Sequence, residues 1–208
     1  THGSGDATWG VQFGGYTANW NATDQVPQRA IDSGLIDRLG YIDPDLGGQT
    51  TRLWAGANAT FGGFAATAYV VSYKFELTSN FTYFLDDPVD GDEFQQVDRR
   101  TLYGGTAAQS WDVMLGSVAA KLTLGTELRY DDIGTVGLYH SVDGARTGTV
   151  RQDSVDEFSA ALYAQGDFTL APNLRAMLAL RGDHYGYDVT SSIGVNSGSG
   201  VQTMLSPK

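Results

Sequence analysis

The stretch Tyr69-Val-Val-Ser-Tyr-Lys-Phe-Glu-Leu-Thr-Ser-Asn-Phe-Thr-Tyr-Phe-Leu85 decides how this chain is read. Its odd positions carry Tyr69, Val71, Tyr73, Phe75, Leu77, Phe81, Tyr83 and Leu85, with Ser79 the exception. Its even positions include Ser72, Lys74, Glu76, Thr78, Asn80 and Thr82. A strand sends successive side chains to opposite faces, so the pattern predicts a strand with an oily odd face and a wet even face. A helix would mix the two sets.

The same rhythm returns elsewhere. Val118, Ala120, Leu122, Leu124, Leu128 and Tyr130 alternate with Lys121, Thr123, Glu127, Arg129 and Asp131. Phe158, Ala160, Leu162, Ala164 and Phe168 alternate with Glu157, Ser159, Tyr163, Gln165 and Asp167, and Leu174, Ala176, Leu178 and Leu180 with Arg175, Arg181 and Asp183. Phe158 and Phe168 stand ten positions apart on one face. At about 3.3 Å per residue and a tilt near 45°, that is roughly 23 Å along a membrane normal. This is the height of an apolar band between two aromatic girdles. A soluble sheet with one face on a core gives the same alternation. Strand length argues against it, because Ala65 to Leu85 exceeds the roughly 3 to 10 residues usual in soluble domains.

Composition narrows the class. The 208 residues are 41% hydrophobic, and the richest segment is interrupted by Ser72, Lys74, Glu76 and Asn80, so any span is a strand rather than a helix. The 27 glycines and 12% aromatic residues suit strands and turns. A formal charge of −11 repels nucleic acid, and the lack of cysteine excludes disulfides and thiolate metal sites. Thr1 to Asp6 show no export signal, and His2 falls in an end expected to be disordered.

Turn residues divide the chain into strands near Thr8 to Trp20, Arg52 to Thr60, Ala65 to Leu85, Arg100 to Trp111, Ser117 to Tyr139, Val155 to Thr169 and Leu174 to Val189, with an eighth starting near Thr203. The connections alternate between long (Asn21 to Thr51, Asp86 to Arg99, Ser141 to Ser154) and short (Phe61 to Phe64, Asp112 to Gly116, Leu170 to Asn173). Short periplasmic turns and longer outer loops are the habit of outer-membrane barrels. The fold class expected is therefore all-β: an antiparallel transmembrane β-barrel segment of about seven strands plus the start of an eighth. Residues 1–208 make one partial barrel domain, and seven strands and a stub leave unpaired edges that lipid does not satisfy.

Several stretches resemble the barrel region of TonB-dependent outer-membrane receptors of the ferric-siderophore type. They are Trp20-Asn-Ala-Thr-Asp-Gln-Val-Pro-Gln-Arg29 with Gly34-Leu-Ile-Asp-Arg38, Leu77 to Pro88 through Gly91-Asp92 to Asp98-Arg-Arg100, Glu127-Leu-Arg-Tyr-Asp131, Arg181-Gly-Asp-His-Tyr185 and Leu205-Ser-Pro-Lys208. The likeness covers almost the whole chain and implies a plugged barrel of about 22 strands, of which this would be about a third. It implies energy-coupled import of an iron-siderophore complex or similar scarce nutrient across the outer membrane of a Gram-negative bacterium. The implied partners are outer-membrane lipid and lipopolysaccharide, the receptor's own plug domain and the TonB complex. No plug domain, energy-coupling motif or closing C-terminal strand is found in these 208 residues.

Weak candidates for ligand contact are Tyr41, Phe94, Arg99, Arg100, Tyr139 and Tyr187, aromatic or cationic groups placed by the pattern on outer loops or the upper lumen. The charges Lys74, Glu76, Lys121, Glu127, Arg129, Asp131, Arg175 and Arg181 are assigned to the lumen as a paired wall network or plug contact. No cofactor is expected. The acidic run Asp86, Asp87, Asp90, Asp92 and Glu93 lacks the spacing of an EF-hand and reads as a solvated loop, so no metal site is assigned. Catalysis at a barrel rim would use Asp183 with His184 or His140 with Ser141, but neighbours on one strand point to opposite faces and cannot cooperate. The chain is therefore read as non-enzymatic. Three alternatives stay open: a passive porin-like channel, a rim-active barrel enzyme and a soluble ligand-binding barrel.

Overall fold

A computed structural model describes residues 2–4, 7–22 and 25–208. Thr23 and Asp24, inside one of the stretches quoted above, lie outside the described residues, as do Thr1, Gly5, Asp6 and the side chain of His2. The strands are β1 (His2–Ser4), β2 (Ala7–Asn21), β3 (Gly47–Phe61), β4 (Phe64–Ser79), β5 (Phe94–Leu115), β6 (Val118–Val142), β7 (Ala145–Ala171), β8 (Leu174–Ser191) and β9 (Gly198–Pro207). All form one antiparallel sheet in which each strand pairs only with its neighbours in sequence. The sheet is open, with β1 and β9 at its edges. One helical turn, α1 (Gln28–Asp32), interrupts the β2–β3 connection. Among the described residues no helix is long and apolar enough to cross a membrane.

Directly opposed residues share a face, so the register carries face assignments from strand to strand. One row runs Val70, Tyr103, Tyr130, Phe158, Gly186 and Val201 across β4 to β9. Another runs Gln109, Leu124, Ala164 and Leu180. This outward face is apolar yet uncovered: Leu162 is 60% exposed and Leu178 63%. Leu122 on the same face is half-buried. Such residues would be enclosed in a soluble core; a sheet that leaves them open is solvated by hydrocarbon. Trp9, Phe61, Phe64, Trp111 and Phe168 border the apolar band near the short turns. Tyr103 and Tyr130, stacked with ring centres 6.4 Å apart, border it with Phe158 at the other end. Immediately beyond lie Asp132, Asp156 and Asp188, opposed across β6, β7 and β8, which mark where hydrocarbon ends.

The deciding stretch is a strand, but its faces are reversed from the reading above. Tyr69 opposes Gly104, which opposes Arg129, and Val71 opposes Leu102, which opposes Asp131, so the aromatic odd face of β4 belongs to the lumen. The lipid face is Phe64, Ala66, Ala68 and Val70. Lys74 and Glu76 therefore point outward, opposite to their assignment, and do so above the apolar band, where an outward side chain meets water and headgroups. Their polarity says nothing about the side that faces lipid lower down.

Several boundaries also move, β3 beginning at Gly47 and β5 running Phe94–Leu115. β4 stops at Ser79, and Phe81 to Leu85 fold into the following loop. The expected long connection Ser141 to Ser154 is mostly strand: β6 and β7 run 25 and 27 residues and meet at a tight turn in which Asp143 and Gly144 have φ of 49° and 72°. Positive φ at both central positions is the type I′ arrangement that an Asp-Gly pair favours. Long and short connections therefore do not alternate strictly. The last strand starts at Gly198, and His2–Ser4 pairs with Ala7–Trp9 rather than forming a disordered end.

Candidate functional site

The lumen face is built from two repeated devices. The first is an aromatic ring lying across an opposed glycine: Trp20 over Gly48, Trp54 over Gly14, Tyr69 over Gly104, Tyr163 over Gly125 and Tyr187 over Gly200. A β-carbon at Gly104 or Gly125 would come within 2.3 Å of the facing tyrosine, so the flat rings need the missing side chain. The second is an arginine paired with an acid two residues along the same strand, hence on the same face. Arg129 Nε and Nη2 donate to Asp131 at 2.8 and 2.7 Å. Arg100 pairs with Asp98, Arg151 with Asp153 at 2.5 Å, and Arg181 with Asp183 at 2.8 Å. Arg181 also donates to Glu127 across two strands at 2.8 Å. The expected pairing of Glu127, Arg129, Asp131 and Arg181 is thus realised.

Near the long-loop end the two devices adjoin. Tyr73 opposes Arg100, Phe75 opposes Asp98, and Asp131 opposes Glu157, which opposes Tyr187. Phe75 lies 6.1 Å from Trp20 and 6.4 Å from Tyr73 between ring centres, and Tyr185 lies 6.3 Å from Tyr187. Rings and guanidinium planes side by side suit an anionic, oxygen-rich ligand, because arginine offers forked donors and both present flat surfaces. At the short-turn end, Asp112, Lys121, Asp167 and Arg175 line a concavity of about 570 Å³.

The structure sorts the six ligand candidates. Phe94, Arg100 and Tyr187 share the lumen face, and Phe94 packs 5.3 Å from Phe81. Arg99 and Tyr139 stand on the opposite, outward face. Tyr139 is only 5% exposed, donates to Gln152 at 2.8 Å and lies 4.4 Å beneath the Arg146 guanidinium. Arg99 and Arg146 both approach Glu76, at 3.9 and 3.0 Å. Tyr41 is exposed on the β2–β3 connection. Trp20, Tyr73 and Phe75, which the sequence pattern does not single out for ligand contact, line the same lumen end. The Arg-x-Asp spacing at Arg129, Arg151 and Arg181 was the signal that locates this face.

The loops carry their own order. Tyr83 donates its hydroxyl to the Gln25 carbonyl at 2.8 Å, and Asn80 donates to Asp43 at 3.0 Å, joining the β2–β3 and β4–β5 connections. The carboxylate of Asp92 accepts from the backbone N–H of Leu85, Asp86 and Asp87 at 2.8, 3.1 and 2.7 Å. A hydrogen bond from Thr82 and these backbone donors hold its pKa down at about 2. The N–H groups of Asp90 and Val89 likewise depress Asp87. The acidic run is thus a self-capped turn. At the proposed rim sites the faces divide as expected: Asp183 pairs with Arg181 in the lumen while His184 faces outward beside Thr203 at 3.1 Å, and His140 and Ser141 also diverge.

An apolar, uncovered outer face, a charged and aromatic inner face and strands tall enough to span a bilayer define a wall of an outer-membrane β-barrel. The family model described as TonB dependent receptor-like, beta-barrel, matches residues 1–208, and the chain belongs to that family. Its members are outer-membrane receptors and transporters rather than enzymes. A search of curated proteins gave no match.

Proposed function

We propose that this wall serves a receptor importing an iron-siderophore complex, or a similar anionic chelate, by energy-coupled passage through a plugged barrel. The observation that carries this reading is the lumen cluster at the long-loop end, where Arg100 faces Tyr73 and Phe94, Phe75 and Tyr187 share the face. The polar concavity around Lys121 and Arg175 is assigned to contact with a plug. The open edges at β1 and β9 are assigned to pairing with further strands of one closed barrel, because unpaired backbone groups are costly in lipid. Lys74, Arg99 and Arg146, outward and above the apolar band, are assigned to lipopolysaccharide phosphates. No catalytic role is assigned.

Uptake of a labelled ferric chelate by iron-limited cells tests the proposal. Arg100→Ala and Tyr187→Ala in the intact receptor should each lower uptake severalfold with the protein still in the outer membrane, and collapse of the proton gradient should stop it. Uptake indifferent to the gradient would instead mark a passive channel, and unchanged uptake in both variants would remove the lumen cluster from the ligand path.

A further inference from the structure

The geometry points to a calcium-class cation site at the outer rim, formed by Asp43, Asp45 and Glu93 with Ser141. One oxygen from each of the three carboxylates lies within 4.8 Å of the others. None of the three pairs with a Lys, Arg or His among the described residues. Glu93 is 4% exposed, so part of this negative charge is withdrawn from water, a cost that a compensating positive charge would relieve.

A second observation comes from a different side chain. Ser141 is 1% exposed, and its hydroxyl is the one buried side-chain polar atom among the described residues that lacks a hydrogen-bond partner. The row Ser79, Phe94, His140 across β4, β5 and β6 continues one position outward to Asn80, Glu93 and Ser141, and Ser141 N donates to the Glu93 carbonyl at 3.0 Å. Opposed residues share a face with β-carbons roughly 5 Å apart, so the Ser141 and Glu93 side chains leave the sheet on the same side, next to each other. On the other side, Asn80 positions Asp43 at 3.0 Å, and the Asp45 N–H donates to Asp43 at 3.0 Å. The Gly144 N–H takes one oxygen of Glu93 at 3.1 Å, leaving the second for a cation.

The donors are oxygens without His or Cys, which selects a hard cation. They come from a connection, a strand start and a strand end rather than from one rigid frame, which suits the irregular coordination of calcium better than the strict octahedron of magnesium. Buried Leu46, directly after this segment, passes its carbonyl to Ala22 N–H at 2.9 Å. A cation between Asp43, Asp45 and Glu93 would therefore fasten the β2–β3 connection to β5 and to the Asp143–Gly144 hairpin tip.

The test uses the intact receptor in detergent, stripped with a chelator and titrated calorimetrically with calcium chloride or magnesium chloride, alongside limited proteolysis of the β2–β3 connection. Calcium should bind and slow cleavage, and magnesium should bind at least tenfold more weakly. Asp45→Asn, at an exposed position, should weaken calcium binding at least tenfold without altering the fold, and Glu93→Gln should do the same. Absence of calcium binding at millimolar concentration, equal binding of magnesium, or binding unchanged in Asp45→Asn would overturn the assignment.

Discussion

Trp20 lies across Gly48 so closely that a β-carbon there would stand 2.4 Å from the indole and 2.7 Å from the Glu76 carbonyl oxygen. The indole is also held 6.1 Å from Phe75, so it has a ring on one side and bare backbone beneath. Gly48→Ala must displace both the indole and the β3–β4 ladder, and overpacking of this kind costs about 1–3 kcal/mol. Denaturant titration of the refolded receptor should show that loss, and Trp20→Ala in the same chain should recover the part that the ring imposes, leaving the part due to the Glu76 carbonyl. A double variant no more stable than Gly48→Ala alone would show that the ladder, not the ring, bears the strain.

Leu162, opposed to Thr126 and Gly182 in mid-band, is offered to lipid. Leu162→Arg should destabilise the folded barrel by about 2–4 kcal/mol in a bilayer, the cost of a cation near the midplane. Folding yield into vesicles measures it. Arg tolerated without loss would place this face in water and contradict the wall.

Arg181, with its two acids part-exposed in the lumen, should behave differently. Arg181→Gln removes two pairs that are screened by lumenal water, and stability should fall by no more than about 1 kcal/mol. The comparison with Leu162→Arg, made in one titration series, separates the two faces by energy.

Asp92 sets the acid limit of the β4–β5 connection. Its folded pKa of about 2 lies below the ordinary 3.8, so its capping bonds contribute fully above pH 4 and are lost as pH falls towards 2. Protease nicking between Phe81 and Asp90 should rise across that window in the native receptor. In Asp92→Asn it should already be raised at pH 7 and change little on acidification.

How far the sequence foretold all this depends on which residues were asked. The pairs Leu122 with Lys121 and Leu162 with Tyr163 reveal their faces because both lie within the apolar band, where lipid enforces a difference. Lys74 and Glu76 lie above the band, where no such force acts, and there alternation assigned the face of β4 backwards. Tyr69, Tyr73 and Phe75 compounded the error, since an aromatic ring suits a lumen floored with glycine as well as it suits lipid. The Asp143–Gly144 turn was readable from its dipeptide but was obscured by the polar strands around it, which extend through water and owe nothing to hydrophobic periodicity. The rim carboxylates of Asp43 and Glu93 are 50 residues apart, and only the folded connection brings them together.

Because every strand pairs only with the one before it and the one after it, the wall contains no crossover connection among the described residues. Each new strand can therefore be laid against an edge already in place, and because closure entropy grows only slowly with loop length, even the longer returns after β2 and β4 oppose each addition little. Such a sheet can be assembled strand by strand in the order of synthesis.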